Sequence, residues 1–311
     1  MLAVTVTPGG SPALRELPSP TTPPGGVLVR VHACGLCGSD VEKLRPGGAP
    51  AGSVLGHEIA GVVVDGALPA GLRVALAHHV PCGICERCLA GHEPLCPAFV
   101  ASALEPGGFC ELTAASSEHV AHAVLPLPDH VSDLAGSFVE PLACVLRGIE
   151  GLGGEAALVA GAGSIGLLAA QALRARGIHV RVLEPVPGRA QRAAELGFEP
   201  PAEGERFSGA LLSAAGAFAA ALPLLAPGGQ LVLFSGGPVQ PLDVEVVYRR
   251  ELVVRGLRSS TPRHLREALT LIAGGAVDCE SLVDCVLGLD EFADGLERYR
   301  RREALKVVFA P

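Results

Sequence analysis

The chain has 311 residues, of which 49% are hydrophobic and 18% charged, and its formal net charge is −8. This length fits two domains better than one, and the apolar content excludes a disordered chain. The acidic balance argues against nucleic acid or a membrane surface as a partner. The amino terminus lacks the pattern of a secretory signal, which predicts a cytoplasmic protein, and the ten cysteines then indicate metal ligation before disulfides.

The first part of the chain is rich in Val, Gly and Pro. Short apolar runs, VLVRVHA at 27–33 and IAGVVV at 59–64, are separated by Gly/Pro turns. This pattern is typical of an irregular β-rich domain.

Two short motifs in this part contain possible metal ligands. GLCGSD at 35–40 and GHE at 56–58 supply a thiolate, an imidazole and carboxylates. That mixed set is expected of a zinc site with an open position. Cys37 and His57 are the predicted core ligands.

The third ligand of this site is left open by the sequence. Glu58 follows His57 directly, and neighbours on a regular strand point to opposite faces, so both reach one ion only where the backbone is irregular. Glu58 otherwise lies beside the ligands without binding the ion. Glu140, in VEPLAC, is the alternative ligand. Taken singly, each residue is better explained by packing or solvation, and only the joint pattern indicates a metal.

A second group of ligands forms a lobe predicted at about residues 78–100. CGICERCLAGHEPLC has the spacing C-x2-C-x2-C-x7-C, which lets four thiolates converge on one ion and leaves no open position, so a structural zinc is predicted. An iron–sulfur cluster is the rival, but the ferredoxin run has a shorter last spacing and a second run. The predicted ligands are Cys82, Cys85, Cys88 and Cys96. The other cysteines are predicted to be small buried side chains: Cys34, Cys110, Cys144, Cys279 and Cys285.

From about residue 128 strand-like segments alternate with helical ones. SDLAGSFVEPLACVLRGIE at 132–150 is predicted to be one amphipathic helix, and ALVAG, HVRVLE, GALLSAAG and GQLVLFSG are predicted strands. The alternation indicates βαβ units and a parallel sheet. The stretch 208–242 carries no charge, but its prolines would break a membrane helix, so a buried helix, turn and strand are predicted there.

GAGSIG at 161–166 lies between the strand-like ALVA and a helical segment. In such a loop the first glycine permits the turn, the second lets a pyrophosphate approach, and the third lets the helix pack on the strand. Glu184, after the next strand, would accept hydrogen bonds from ribose hydroxyls and repel a 2′-phosphate, which favours NAD over NADP. The alternative is a glycine turn that serves packing beside a solvated glutamate. The predicted cofactor-binding residues are Gly161, Gly163, Ser164, Ile165, Gly166, Glu184 and Arg189, the last of which could instead cap a helix.

Together these motifs resemble zinc-containing medium-chain dehydrogenases, most closely the polyol (sorbitol) and threonine dehydrogenase branch. The resemblance covers nearly the whole chain, including LLAPGGQLV and the closing ALKVV. It implies an α/β fold with a GroES-like β-rich catalytic domain at 1–127 and 259–311. A Rossmann domain with a doubly wound parallel sheet is implied at 128–258. Relatives commonly form dimers or tetramers, so a homodimer or homotetramer is expected.

The resemblance also implies an activity. Two zinc ions and NAD would serve hydride transfer to or from a secondary alcohol, polyol or related sugar or amino alcohol, with one zinc polarising the substrate oxygen. Relatives use a Glu-Pro-Leu carboxylate near this zinc, here Glu140. Ser39 matches the position that passes the proton outward, although it could equally make only a turn hydrogen bond. Many relatives continue the relay with a histidine, where this chain has Glu42.

Two other functions are considered. One is a zinc-independent quinone or enoyl reductase on the same scaffold, which the Cys/His/Glu pattern opposes. The other is a non-catalytic, zinc-stabilised protein that binds NAD. The substrate itself is not predicted, because the loops after Glu58 and between Gly197 and Leu211 are shorter than in relatives.

Overall fold

The computed structural model describes residues 1–235 and 243–311. The β strands are β1 Leu2–Val6, β2 Pro12–Glu16, β3 Val27–Gly35, β4 Glu58–Gly66, β5 Arg73–Ala77, β6 Leu112–Ala115, β7 Val124–Pro126, β8 Ala156–Ala160, β9 His179–Leu183, β10 Phe207–Leu212, β11 Leu225–Leu233, β12 Val253–Gly256, β13 Cys285–Leu287 and β14 Val307–Phe309. The α helices are α1 Gly38–Lys43, α2 Glu86–Leu89, α3 Pro97–Ala101, α4 Ser117–His122, α5 Asp133–Gly136, α6 Val139–Gly148, α7 Ser164–Ala175, α8 Pro187–Glu195, α9 Phe218–Ala221, α10 Val244–Arg249, α11 Pro262–Ala273 and α12 Phe292–Arg300. Short 3₁₀ helices lie at Glu93–Leu95, Ala215–Ala217, Leu222–Leu224, Glu280–Leu282 and Leu289–Glu291.

The chain divides into two compact units. The first comprises Met1–Pro141, Thr261–Gly275 and Cys279–Pro311, and the second comprises Leu142–Ser260 and Ala276–Asp278. The domain boundaries after residues 127 and 258 stay a prediction.

The first unit is built on β strands. Its described residues form a two-stranded sheet of β1 and β2 and a sheet in the order β13-β14-β3-β4-β5-β7, with β6 also paired to β3. In β3, Val27, Val29 and Val31 are buried while Arg30 and His32 are exposed. The alternation gives the strand one apolar face for the core, which confirms the predicted β-rich domain.

The second unit contains a parallel sheet in the order β12-β11-β10-β8-β9 among its described residues. The chain runs from β8 to β9 on one side and then to β10 on the other. The order of the strands therefore reverses at β8, the position where such folds bind ligands, and the predicted Rossmann-type fold is confirmed. The uncharged stretch contains β10, α9 and β11, and its end at 236–242 lies outside the described residues.

The helix predicted at 132–150 is wrong as a single element. Two helices occupy the segment, α5 and α6, and they are separated by Ser137 and Phe138. Pro141 explains the break, because proline has no N–H and its ring clashes with the carbonyl four residues earlier. It is tolerated in the first turn of α6, where the N–H would have no helical partner.

Two further expectations concern burial. Cys34, Cys110, Cys144 and Cys279 are buried as predicted, but Cys285 is only partly buried, because β13 lies at the edge of its sheet. Across the described residues, no helix combines the length and the apolar content needed to cross a membrane.

Candidate metal centres and dinucleotide loop

Three possible metal ligands meet where β3 and β4 run side by side. One donor atom each from Cys37, His57 and Glu58 lies within 4.8 Å of the other two. Cys37 caps α1 directly after β3, and His57 stands immediately before the first residue of β4. Gly56 has a φ of 92°, so the backbone is irregular there and two successive residues reach one point. Thiolate, imidazole and carboxylate together fit zinc.

Asp40 supports two of these ligands. Its side chain is 1% exposed. Oδ2 accepts a hydrogen bond from the N–H of Cys37 at 3.1 Å, and Oδ1 lies 3.4 Å from Nδ1 of His57. Nδ1 therefore faces Asp40 and leaves Nε2 for a metal. The sequence reasoning missed this residue, although an acidic side chain three positions after a ligand cysteine was a signal.

The charges at this point favour a cation. Burial alone would lower the pKa of His57, but the charges of Asp40 and Cys37 raise it well above its usual value. Burial alone would raise the pKa of Asp40, but the charge and hydrogen bond of His57 hold it below its usual value. A proton and a divalent cation would therefore compete for His57.

Glu58 is bonded to a buried lysine. Nζ of Lys306 donates a hydrogen bond to Oε2 of Glu58, and the two side chains are 2% and 1% exposed. The same Nζ donates to the carbonyl of Leu36 at 3.3 Å and lies 5.4 Å from the centre of the Phe138 ring. Burial alone would lower the pKa of Lys306, but the charges of Glu58 and Cys37 raise it. The charged ammonium thus fixes the carboxylate in place.

The pair is packed so closely that a glycine is required beside it. A Cβ atom on Gly35 would lie 2.1 Å from Oε2 of Glu58 and 2.8 Å from Cε of Lys306. The sequence reasoning missed Lys306 as a site residue. Its only signal was a charged residue within the apolar closing segment ALKVV.

The remaining residues predicted for this site are placed as follows. Oγ of Ser39 donates a hydrogen bond to Sγ of Cys37 at 3.4 Å, and Glu42 is exposed on α1. Glu140 is partly buried in the first turn of α6 and is not part of the three-residue group. The structure thus brings Glu58, and not Glu140, to the two core ligands.

The four cysteines of the lobe also converge. Their sulfur atoms all lie within 4.8 Å of one another, with Sγ–Sγ distances of 3.5 Å between Cys85 and Cys88 and 3.5 Å between Cys82 and Cys96. The apolar cluster here is small and consists of Cys88, Cys96 and Phe99, with Cys85 against it. Because so little apolar surface is buried, a metal ion would supply stability that packing does not.

Two thiols of the lobe ionise readily. A hydrogen bond from the backbone of Cys82 lowers the pKa of Cys96 to about 6, and backbone hydrogen bonds from Ile84 and Cys85 lower the pKa of Cys82. Burial raises the pKa of Cys88 to about 12. Thiolate is the metal-binding form, so the donor set fits a tetrahedral metal site.

The glycine loop of the second unit follows β8 and opens α7. Gly161 has a φ of 106°, and a Cβ atom on Gly166 would lie 1.8 Å from the carbonyl oxygen of Gly161. A Cβ atom on Gly163, by contrast, would meet no described atom within 4 Å. The loop therefore needs two glycines for its own packing, while the third keeps a space clear that a pyrophosphate can approach. Ser164 and Ile165 form the first turn of α7 beside that space.

Glu184 is held at the loop by two backbone groups. Its carboxylate accepts hydrogen bonds from the N–H of Ala162 at 2.7 Å and from the N–H of Val186 at 2.8 Å. Each oxygen keeps a lone pair for another donor. Arg189 lies in α8, and its Nε is buried without a hydrogen-bond partner among the described residues. Oγ of Ser213, another residue that sequence reasoning missed, bonds the carbonyls of Ala160 and Gly161 at 3.1 Å each.

Comparison with known proteins agrees with this geometry. The family model described as alcohol dehydrogenase GroES-like domain matches residues 23–129. The chain is 34% identical to D-altritol 5-dehydrogenase of Agrobacterium fabrum over 94% of each chain. It is 28% identical to L-threonine 3-dehydrogenase of Mesorhizobium japonicum over 95% of this chain and 94% of the relative.

A solved structure extends the similarity to the fold. It is the crystal structure of a zinc-binding dehydrogenase of Sinorhizobium meliloti 1021 bound to NADP, which matches with a TM-score of 0.88 and 27% identity. The match covers 100% of this chain and 99% of that chain.

Proposed function

The chain belongs to the zinc-containing medium-chain dehydrogenase family, in its polyol and threonine dehydrogenase branch, and on that premise we propose that it transfers hydride between NAD(H) and a secondary hydroxyl of a polyol or a related sugar or amino alcohol. The observation that carries this function is the group of Cys37, His57 and Glu58 within 4.8 Å. Charged partners, Asp40 and Lys306, support that group.

A catalytic zinc would be held by Cys37, His57 and Glu58. When bound, it supplies a Lewis acid for the substrate oxygen. Asp40 orients the imidazole of His57 through Nδ1, and Lys306 holds one oxygen of Glu58 so that the second oxygen remains for the ion. Glu140 is the alternative third ligand, as the family resemblance suggests.

The dinucleotide would bind at the loop 161–166, with its pyrophosphate beside Gly163 and the N-terminus of α7. When bound, its nicotinamide supplies the hydride acceptor. Glu184 keeps lone pairs for ribose hydroxyls and would repel a 2′-phosphate, which supports NAD over NADP. Arg189 would offer its unpartnered Nε to the adenosine side.

Ser39 would move the proton released from the substrate. Its hydroxyl is bonded to Sγ of Cys37 and is partly exposed, so it connects the ligand group with solvent. Glu42, exposed on the same helix, would accept the proton through water where many relatives have a histidine.

A second, structural zinc would bind Cys82, Cys85, Cys88 and Cys96, giving two ions per chain. The reduced thiols of this lobe support a cytoplasmic location. A homodimer or homotetramer is proposed by analogy with the family.

NAD reduction with a panel of D-altritol, sorbitol, 2,3-butanediol and L-threonine tests the proposal. We expect turnover with at least one alcohol, loss of turnover after treatment with a zinc chelator, and recovery when zinc is returned. The matched variants Glu58→Gln and Glu140→Gln identify the third ligand. Glu58→Gln is expected to lose one zinc and most of its activity, while Glu140→Gln keeps both ions.

Other outcomes would favour other functions. Chelator-resistant reduction of a quinone or enoyl substrate would support the zinc-independent reductase. NADH binding without turnover of any alcohol in the panel would support a non-catalytic protein.

A further inference from the structure

His78 lies next to the ligand group because of the register between β4 and β5. Ile59 pairs with Leu76 and Glu58 with Ala77, and both strands end there. His57 and His78 are the residues next to this last pair. His78 is therefore a neighbour in space of the candidate metal ligand His57.

One ring nitrogen of His78 has no hydrogen-bond partner in the part of the chain that the structure describes. Nδ1 is buried, and no described residue or backbone group hydrogen-bonds to it. The ring is packed edge-on against His79, with ring centres 4.5 Å apart, and the carbonyl of His78 accepts a hydrogen bond from Nε2 of His119 at 3.0 Å. These contacts leave the ring little freedom to turn Nδ1 toward solvent. A buried polar atom without a partner is unfavourable, so a ligand that supplies a partner would bind more tightly.

The hydrogen-bonding chemistry of an imidazole limits what that partner can be. In a neutral imidazole Nδ1 is either a donor or an acceptor, depending on the tautomer. A hydroxyl group satisfies both tautomers, whereas a carboxylate only accepts and an ammonium only donates.

We propose that Nδ1 of His78 binds a second hydroxyl of the substrate, on the carbon next to the one that reacts, and so makes the enzyme select vicinal diols and polyols over simple alcohols. This inference rests on the proposed function and adds the specificity-determining residue. The reacting oxygen would lie at the group of Cys37, His57 and Glu58. The neighbouring oxygen then comes toward His78.

Two substrates that differ by one hydroxyl test the proposal: 2,3-butanediol and 2-butanol. The quantity to compare is the ratio of their kcat/KM values in the wild-type protein, His78→Phe and His78→Asn. Phenylalanine fills similar space without a polar atom, and we expect it to reduce the diol preference about tenfold. Asparagine retains a polar atom near the position of Nδ1 and should keep most of the preference.

A binding measurement and a control separate recognition from damage. Calorimetry on protein loaded with zinc and NADH should show weaker binding of 2,3-butanediol to His78→Phe, with zinc content and NADH affinity unchanged. His130→Phe changes an exposed histidine in the same way and should match the wild-type protein throughout.

Each result bears on a definite claim. If alcohols are oxidised but the diol preference is absent in the wild-type protein, or is equal in His78→Phe, the role of His78 is wrong and the proposed function stands. If no alcohol in the panel is oxidised and calorimetry shows equal diol binding by both proteins, both claims fail.

Discussion

The charged side chains of the candidate catalytic site are buried in opposite pairs. Asp40 faces His57, and Glu58 is bonded to Lys306. Burying such charges costs free energy that pairing offsets only in part, so the pairs are better explained by the ligands they hold than by stability.

Sequence reasoning could predict some of these residues and not others. Cys37 and His57 were identifiable because thiolate and imidazole carry metal chemistry wherever they lie. Lys306 was not, because its partner is 248 positions away and a lysine alone does not indicate a metal site. The position of Glu58 beside His57 depended on the backbone at Gly56, which motif spacing does not describe.

Replacing Lys306 by methionine leaves Glu58 buried without a counter-charge. We expect the free energy of unfolding of the metal-free protein to fall by about 3 kcal/mol, because an unpaired buried carboxylate is strongly destabilising. Lys306→Arg keeps the charge and should lose less. Urea unfolding after chelation measures both. The double variant with Glu58→Gln should recover part of the lost free energy of unfolding. If the losses of the two single variants simply add in the double variant, Lys306 and Glu58 do not stabilise each other and the prediction is wrong.

The burial of His119 predicts a pH dependence of stability. The residue is 1% exposed, and burial lowers its pKa below the usual value. It is neutral in the fold and takes up a proton on unfolding. The contribution of His119 to the free energy of unfolding is therefore present above the pKa that this histidine has in the unfolded chain, about 6.5. It is lost as the pH falls from there through the lower pKa of His119 in the folded protein.

His119→Gln tests this contribution, because glutamine can still donate a hydrogen bond to the carbonyl of His78. We expect the free energy of unfolding to fall less in the variant than in the wild-type protein between about pH 7.5 and about pH 5.5. Other titrating groups are common to both proteins. Identical pH dependence would show that the burial of His119 has no such effect.

At the scale of elements, the structure follows the sequence wherever local pattern decides it. The alternation in β3 and the strand–loop–helix order around GAGSIG were both predictable. The segment 132–150 was not, because its apolar periodicity continues through the point where Pro141 forces a new helix to begin.

The glycine loop gives a matched pair of substitutions. Gly163→Ala adds a Cβ atom that meets no described atom, so stability should change by less than about 0.5 kcal/mol while NADH binds at least about tenfold more weakly. Gly166→Ala drives a Cβ atom into the carbonyl of Gly161 and should destabilise the protein by about 1–3 kcal/mol. Thermal unfolding and NADH fluorescence titration distinguish the two. Unchanged NADH affinity in Gly163→Ala would mean that the cofactor does not use this space.

At the scale of the whole molecule, each unit carries its own part of the chemistry. Both candidate metal groups belong to the first unit and the dinucleotide loop belongs to the second. The sequence could predict this division because each motif is local. It could not predict the proposed recognition of the substrate, since His78 becomes a neighbour of His57 only through the pairing of β4 with β5.

Zinc content measured together with NAD-dependent turnover, in the wild-type protein and in Cys37→Ser, tests the central claim most directly. We predict two zinc ions per chain in the wild-type protein. Cys37→Ser should retain one zinc ion, keep its NADH affinity and oxidise polyols at least about a hundredfold more slowly. The reason is that the substitution removes a ligand from the catalytic zinc alone. Cys285→Ser, a change at a partly buried edge strand, should behave as the wild-type protein does. A Cys37→Ser protein that keeps both zinc ions and full activity would contradict the account.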